Sequence, residues 1–203
     1  MKQLILASQS PRRSEILKKA GYNFVSFPVY VSEIPNKNLS LDEQILDIAG
    51  RKAKAVFEQL KASEKVPDAV VLTADTMVCF NSKALGKPED ENRAFEYLRL
   101  LSGQQHQVKT AVWLLDLSTG EKVTHLETTE VYFKKIADSE ILEYVATGEP
   151  MDKAGAYAIQ GIGAKFVEKF EGDFNNVVGL PLHAIEKLFK LKGWIFQKTL
   201  QGL

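Results

Sequence analysis

Cysteine is almost missing from this sequence: Cys79 is the single one in 203 residues. One cysteine cannot form an internal disulfide, so a reducing compartment is expected, and a cytoplasmic location fits it. No apolar run approaches the roughly 20 residues that a membrane helix needs. The opening Met1-Lys2-Gln3-Leu4-Ile5-Leu6-Ala7 is too short for a signal h-region with a cleavage site and reads as a buried strand. Neither sign of charge is in excess, with 26 Lys plus Arg against 26 Asp plus Glu. A nucleic-acid coat would need a surplus of basic residues, so neither nucleic acid nor membrane is expected as a partner. His106, His125 and His183 are scattered, without H-E-x-x-H or Cys/His spacing for zinc. A Walker A loop, a G-x-G-x-x-G turn and a G-x-S-x-G elbow are all missing. So are internal repeats and low-complexity linkers.

What is present is an ordinary globular composition, 45% hydrophobic and 26% charged. The length suits one well-buried domain spanning 1–203, with two lobes around a cleft as a variant of that layout. Strand and helix signals alternate. An apolar run at 3–7 precedes a helix over 11–20, with Ser10 as N-cap, Pro11 at the first helical position and Gly21 as the stop. Residues 23–31 are strand-like, with Pro28 marking an edge or bulge. Ser40-Leu41-Asp42-Glu43 spells a capping box for a helix to about residue 60. A second strand over 69–74 ends at Asp75-Thr76, and 90–101 is helical. Two β-rich runs, 107–117 and 122–133, flank a hairpin turn at Ser118-Thr119-Gly120-Glu121. A helix over 138–146, a glycine-rich loop over 148–163, a strand over 165–170 and a helix over 181–191 complete the pattern. The sum is one α/β or α+β unit with a mixed sheet.

The informative residues sit where local rules disfavour them. Arg12 and Arg13 occupy the first turn of a helix, whose partial positive charge disfavours cations. Either they are solvated surface charges, or an anion meets them there together with Ser8, Ser10 and the exposed N–H groups. Lys52 interrupts the apolar stripe of Ile45, Ile48, Ala49, Val56 and Leu60. Its ammonium either reaches water past a packed stem or points at an anion in a cleft wall. Asp75 follows a buried strand directly, a position suited to a divalent cation or a proton from water, and equally to a turn or helix cap. Lys87 in Leu85-Gly86-Lys87-Pro88 could meet a phosphate or sit in a plain loop. Gln160, in the glycine-rich run from Asp152, carries both donor and acceptor groups for a base edge, while the glycines can also serve backbone demands alone. Cys79, Trp113 and Trp194 read as packing residues.

Taken together, these segments resemble the Maf family of nucleoside triphosphate pyrophosphatases. The likeness rests on Ala7-Ser8-Gln9-Ser10-Pro11-Arg12-Arg13, Ser32-Glu33, the stretch around Lys52, Ala74-Asp75-Thr76, Leu85-Gly86-Lys87-Pro88, Leu101-Ser102-Gly103 to His106, the run from Asp152 to Gly161, and Asn176-Val177-Val178-Gly179-Leu180-Pro181-Leu182. It covers nearly the whole chain in the family's order. Thr73 departs from the glycine common there. The resemblance implies a Maf/ITPase-like mixed sheet flanked by helices with a deep substrate cleft, and hydrolysis between the α- and β-phosphates of a nucleoside triphosphate. It implies a Mg²⁺ or Mn²⁺ requirement and a homodimer. Asp75 matches the family's proton acceptor, and Ser8, Arg13, Glu33, Lys52 and Lys87 match its cleft residues. Asp75 and Glu33 are the expected metal ligands. Arg12, Thr76 and Gln160 match the positions tied to base choice in the dTTP/UTP branch. A 7-methyl-GTP pyrophosphatase and a non-catalytic nucleotide-binding regulator of cell division are the alternatives.

Overall fold

A computed structural model of the chain describes residues 1–62 and 67–199. The elements follow in the order β1 (Gln3–Leu6), α1 (Pro11–Lys19), β2 (Phe24–Ser26), α2 (Leu41–Ala62), β3 (Ala69–Phe80), β4 (Lys83–Leu85), α3 (Glu91–Leu101), β5 (Gln105–Asp116), β6 (Lys122–Phe133), α4 (Asp138–Val145), β7 (Val167–Glu171), α5 (Phe174–Val178) and α6 (Leu182–Leu191). Among the described residues seven strands form a mixed sheet in the order β2-β1-β3-β5-β6-β7, with β4 on β3. The β1/β2 and β1/β3 pairs are parallel, and β3/β4 and β6/β7 are antiparallel. The chain divides into two compact units: Met1–Asp75 with Thr110–Glu127 and Gly179–Leu203, and Thr76–Lys109 with Thr128–Val178.

In the first unit, Ile5, Ala7, Val29, Val56, Ala69, Val71, Leu115 and Leu117 form one apolar cluster. Helix α2 starts at the expected capping box. The Ser40 N–H donates to Glu43 Oε2 at 2.9 Å, and the Glu43 N–H returns to Ser40 Oγ at 3.3 Å. Its apolar stripe is buried at Ile45, Ile48, Ala49, Ala53 and Val56, and Lys52 is buried with it. Gly50 is where the Trp113 ring lies on the helix: a Cβ there would come within 2.5 Å of Trp113 Cζ3. Ser10 holds the N-cap position of α1, but its side chain makes no capping bond. The extended segment expected over 23–31 is shorter, because β2 ends at Ser26. The Phe27 N–H still reaches Leu6 O at 2.9 Å, and Pro28 then has no N–H to continue the ladder.

The largest difference from the sequence expectation is β3. It does not stop at Ala74 but runs on to Phe80, so Asp75 lies within a strand rather than at its end. Parallel pairing with β1 stops at Leu72, and the β-prone Thr76-Met77-Val78-Cys79-Phe80 continues by pairing with β4 from Val78↔Leu85 to Phe80↔Lys83.

In the second unit, Leu98, Leu101, Val131, Phe133, Ile141, Tyr144, Tyr157 and Phe166 are among the residues of a second apolar cluster. Asp90 caps α3 by accepting the Arg93 N–H at 2.7 Å. The segment expected as a loop over 148–163 contains short 3-10 turns at Glu149–Asp152 and Ala154–Ala156, and another follows at Ile162–Phe166. That last turn delays the next strand, β7, to Val167. The short α5 was not expected. Its Asn176 is fully buried and donates to Val108 O and to Thr129 Oγ1, both at 2.9 Å.

Candidate active site

Helix α2 and strand β3 meet at a charged pair. Lys52 shares its helix face with Ile48 and Val56, so its stem packs with them. Its head does not reach out to water. Nζ lies 2.7 Å from Asp75 Oδ1 and 2.7 Å from Glu33 Oε1. Asp75 is largely shielded, with a side chain 15% exposed, whereas that of Glu33 is 51% exposed, so Glu33 is the more open of the two. Thr73, two residues before Asp75 on β3, donates its hydroxyl to Ala49 O at 2.8 Å. The residue that departs from the common glycine thus ties β3 to α2 one helical turn from Lys52.

Glu33 sits in the irregular segment between β2 and α2. Arg51, next to Lys52, holds that segment: its Nη1 donates to Ser32 O and its Nη2 to Ile34 O, the latter at 3.0 Å. Sequence reasoning missed Arg51. Its signals are its place beside Lys52 and the i,i+4 spacing to Asp47, with which Nε pairs at 3.1 Å; its contacts to the carbonyls on either side of Glu33 carry no signal.

The two arginines of α1 differ. Arg12 is half-buried in the first turn. Arg13 is buried and is bonded to protein: Nε donates to Gly179 O at 2.8 Å, and Nη1 to Ala74 O at 2.8 Å and to Ser8 Oγ at 3.3 Å. Ser8 Oγ also accepts the Ser10 N–H at 3.1 Å, so the first turn closes around it. Arg13 therefore holds the carbonyl immediately before Asp75. Burial pulls its pKa down from the ordinary value, and the negative charges of Asp75 and Glu33 oppose that shift.

In the second unit, Thr76 follows Asp75 along β3 and, by strand alternation, faces the other side of the sheet. Lys87 is exposed on the turn after β4. The Gly86 carbonyl beside it accepts the Gly155 N–H at 3.1 Å, which joins that turn to the segment bearing Gln160. Gln160 itself is exposed. Cys79 is buried, as expected of a packing residue.

Among the described residues no group of three or more His, Cys, Asp or Glu is placed to hold a metal ion. The donors that fit a hard divalent cation are Asp75 and Glu33, two carboxylates converging on the same ammonium. Magnesium is commonly held by one or two carboxylates completed by substrate phosphates, so a pair suffices.

The site is thus a lysine held between two carboxylates on a mixed α/β sheet, with the buried Arg13 tied to the carbonyl before Asp75. The chain belongs to the family described as Maf-like protein, whose pattern matches residues 3–191. Its relatives include a protein of Bdellovibrio bacteriovorus named dTTP/UTP pyrophosphatase, 56% identical over 186 residues, which are 91% of this chain and 96% of that protein. Another of the same name, from Caldicellulosiruptor saccharolyticus, is 43% identical over 198 residues, 98% of each chain. A third, from Methanosarcina barkeri, is 44% identical over 194 residues, 95% of each.

Proposed function

We propose that this protein hydrolyses dTTP and UTP to the monophosphate and pyrophosphate. The observation that carries this reading is Lys52 Nζ at 2.7 Å from both Asp75 and Glu33, in a chain 56% identical to a relative named for that activity. In the first unit, Asp75 accepts a proton from the attacking water. The water oxygen bonds to the α-phosphorus while the bond from that phosphorus to the bridging oxygen breaks, and the electron pair leaves on pyrophosphate. Lys52 orients the Asp75 carboxylate and supplies positive charge. Glu33 and Asp75 would hold Mg²⁺ or Mn²⁺, which would offset phosphate charge and lower the pKa of water at the site. Ser8 and Arg13 position the start of α1 and the carbonyl before Asp75. The family resemblance assigns Lys87 to the phosphate oxygens and Arg12, Thr76 and Gln160 to base choice. The same resemblance adds a homodimer, checked by sedimentation of the purified protein, and the single cysteine adds a cytoplasmic location.

Pyrophosphate release from UTP with Mg²⁺ tests the reading. Asp75→Asn keeps the shape of the side chain but cannot take the proton, and turnover is expected to fall roughly 10²-fold or more. Near-normal turnover of the variant would remove Asp75 from the chemistry. Tight UTP binding without turnover by the native protein, across several metals, would mark a sensor instead.

A further inference from the structure

Gln160 lies in a segment whose two ends are joined by one carboxylate. Glu149 Oε2 accepts the Ile162 N–H at 3.0 Å, and Oε1 accepts the Gly163 N–H at 3.0 Å and the Tyr144 hydroxyl at 2.9 Å. Residues 150–161 therefore form a loop with a neck at Glu149. Burial alone would raise the Glu149 pKa, but the Gly163 and Ile162 N–H groups, the Tyr144 hydroxyl and the nearby Lys153 ammonium outweigh it and hold the pKa below its ordinary value. Gly161, next to Gln160, has φ 88° and ψ −152°, a backbone that only glycine adopts readily. A Cβ there would lie 2.8 Å from Glu149 Oε2. The carboxylate and the glycine thus fit against each other, immediately beside the amide that would read the base.

The middle of the loop is anchored separately. The Tyr157 hydroxyl and His106 Nε2 share a 2.7 Å hydrogen bond, and both residues are buried. The Gly155 N–H is bonded to Gly86 O at 3.1 Å. Loss of the neck would leave those anchors in place and free the stretch that carries Gln160.

We infer that Glu149 is a positioning residue for base selection, acting by fixing the backbone at 161–163 and so the presentation of the Gln160 amide. This rests on the reading that Gln160 meets the base. A glutamine at 149 has one carbonyl oxygen, and its NH₂ group would face a backbone N–H, donor against donor, so at least one tie is lost.

The experiment compares kcat and KM for UTP, dTTP, CTP and GTP in the native protein, Glu149→Gln, Gln160→Ala and the double variant. Glu149→Gln is expected to lower the UTP-over-GTP preference about tenfold, the worth of one lost hydrogen bond, with KM for UTP rising more than kcat falls. The double variant should discriminate no worse than Gln160→Ala alone. Gln160→Ala with native preference would overturn the reading of Gln160, and any action of Glu149 through it. Loss of preference in Gln160→Ala but not in Glu149→Gln, or additive losses in the double variant, would overturn the role of Glu149 alone. Should Glu149→Gln not fold, Gly161→Ala disturbs the same neck from the other side. Its preference should fall likewise, and native preference there would overturn the inference.

Discussion

Arg13 and Lys52 are both cations in places that local rules disfavour, and both are buried. Their surroundings give them different work. Lys52 ends on two carboxylates, whereas Arg13 ends on two carbonyls and a hydroxyl. Only a planar fork reaches Gly179 O through Nε while Nη1 serves Ala74 O and Ser8 Oγ. Arg13→Lys can keep one of these bonds and leaves carbonyls buried without a donor. A loss of about 2–4 kcal/mol is expected in urea unfolding, with turnover reduced even where the variant is fully folded. Native stability in Arg13→Lys would mean that these contacts carry no weight.

At the scale of elements, α2 brings the first unit's polar groups together. Its capping box sets its start, Gly50 sets how closely Trp113 lies on it, and Thr73 binds its Ala49 carbonyl. Lys52 and Arg51 then project from the same turn, one to Asp75 and Glu33, the other to the carbonyls flanking Glu33. Gly50→Ala improves helix propensity, which alone would stabilise by about 1 kcal/mol. The methyl group instead meets the indole at 2.5 Å. Overpacking is expected to win, lowering stability by about 1–3 kcal/mol and displacing Lys52 enough to reduce kcat. Thermal unfolding and turnover of the variant check both; a raised Tm would show that Trp113 yields freely.

For the whole molecule, acid stability follows from a histidine outside the proposed chemistry. Burial pushes the His106 pKa down to about 4. The unfolded chain protonates this imidazole near its ordinary value of about 6.5, so between there and about 4 the unfolded state binds the extra proton. Stability is unaffected above that window and falls as pH drops through it, by about 3 kcal/mol in all. Urea unfolding at pH 7 and pH 4.5 should show a larger loss in the native protein than in His106→Gln. Equal losses would place the acid sensitivity elsewhere.

The sequence by itself determined what depends on neighbours along the chain. The stripe of α2 with Lys52 set into it and the capping box at Ser40 follow from helical spacing and local hydrogen bonding, and the family's motifs were legible in order. Tertiary structure decided the rest. Whether Lys52 reached water or carboxylates, whether Arg13 faced solvent or carbonyls 61 and 166 residues away, and how far β3 ran past Asp75 were settled by partners distant in the chain. The roles of Arg51 at Ser32 and Ile34 and of Glu149 at Ile162 and Gly163 were illegible for the same reason: these targets are backbone groups, which carry no side-chain signature and become partners only when packing brings the segments together.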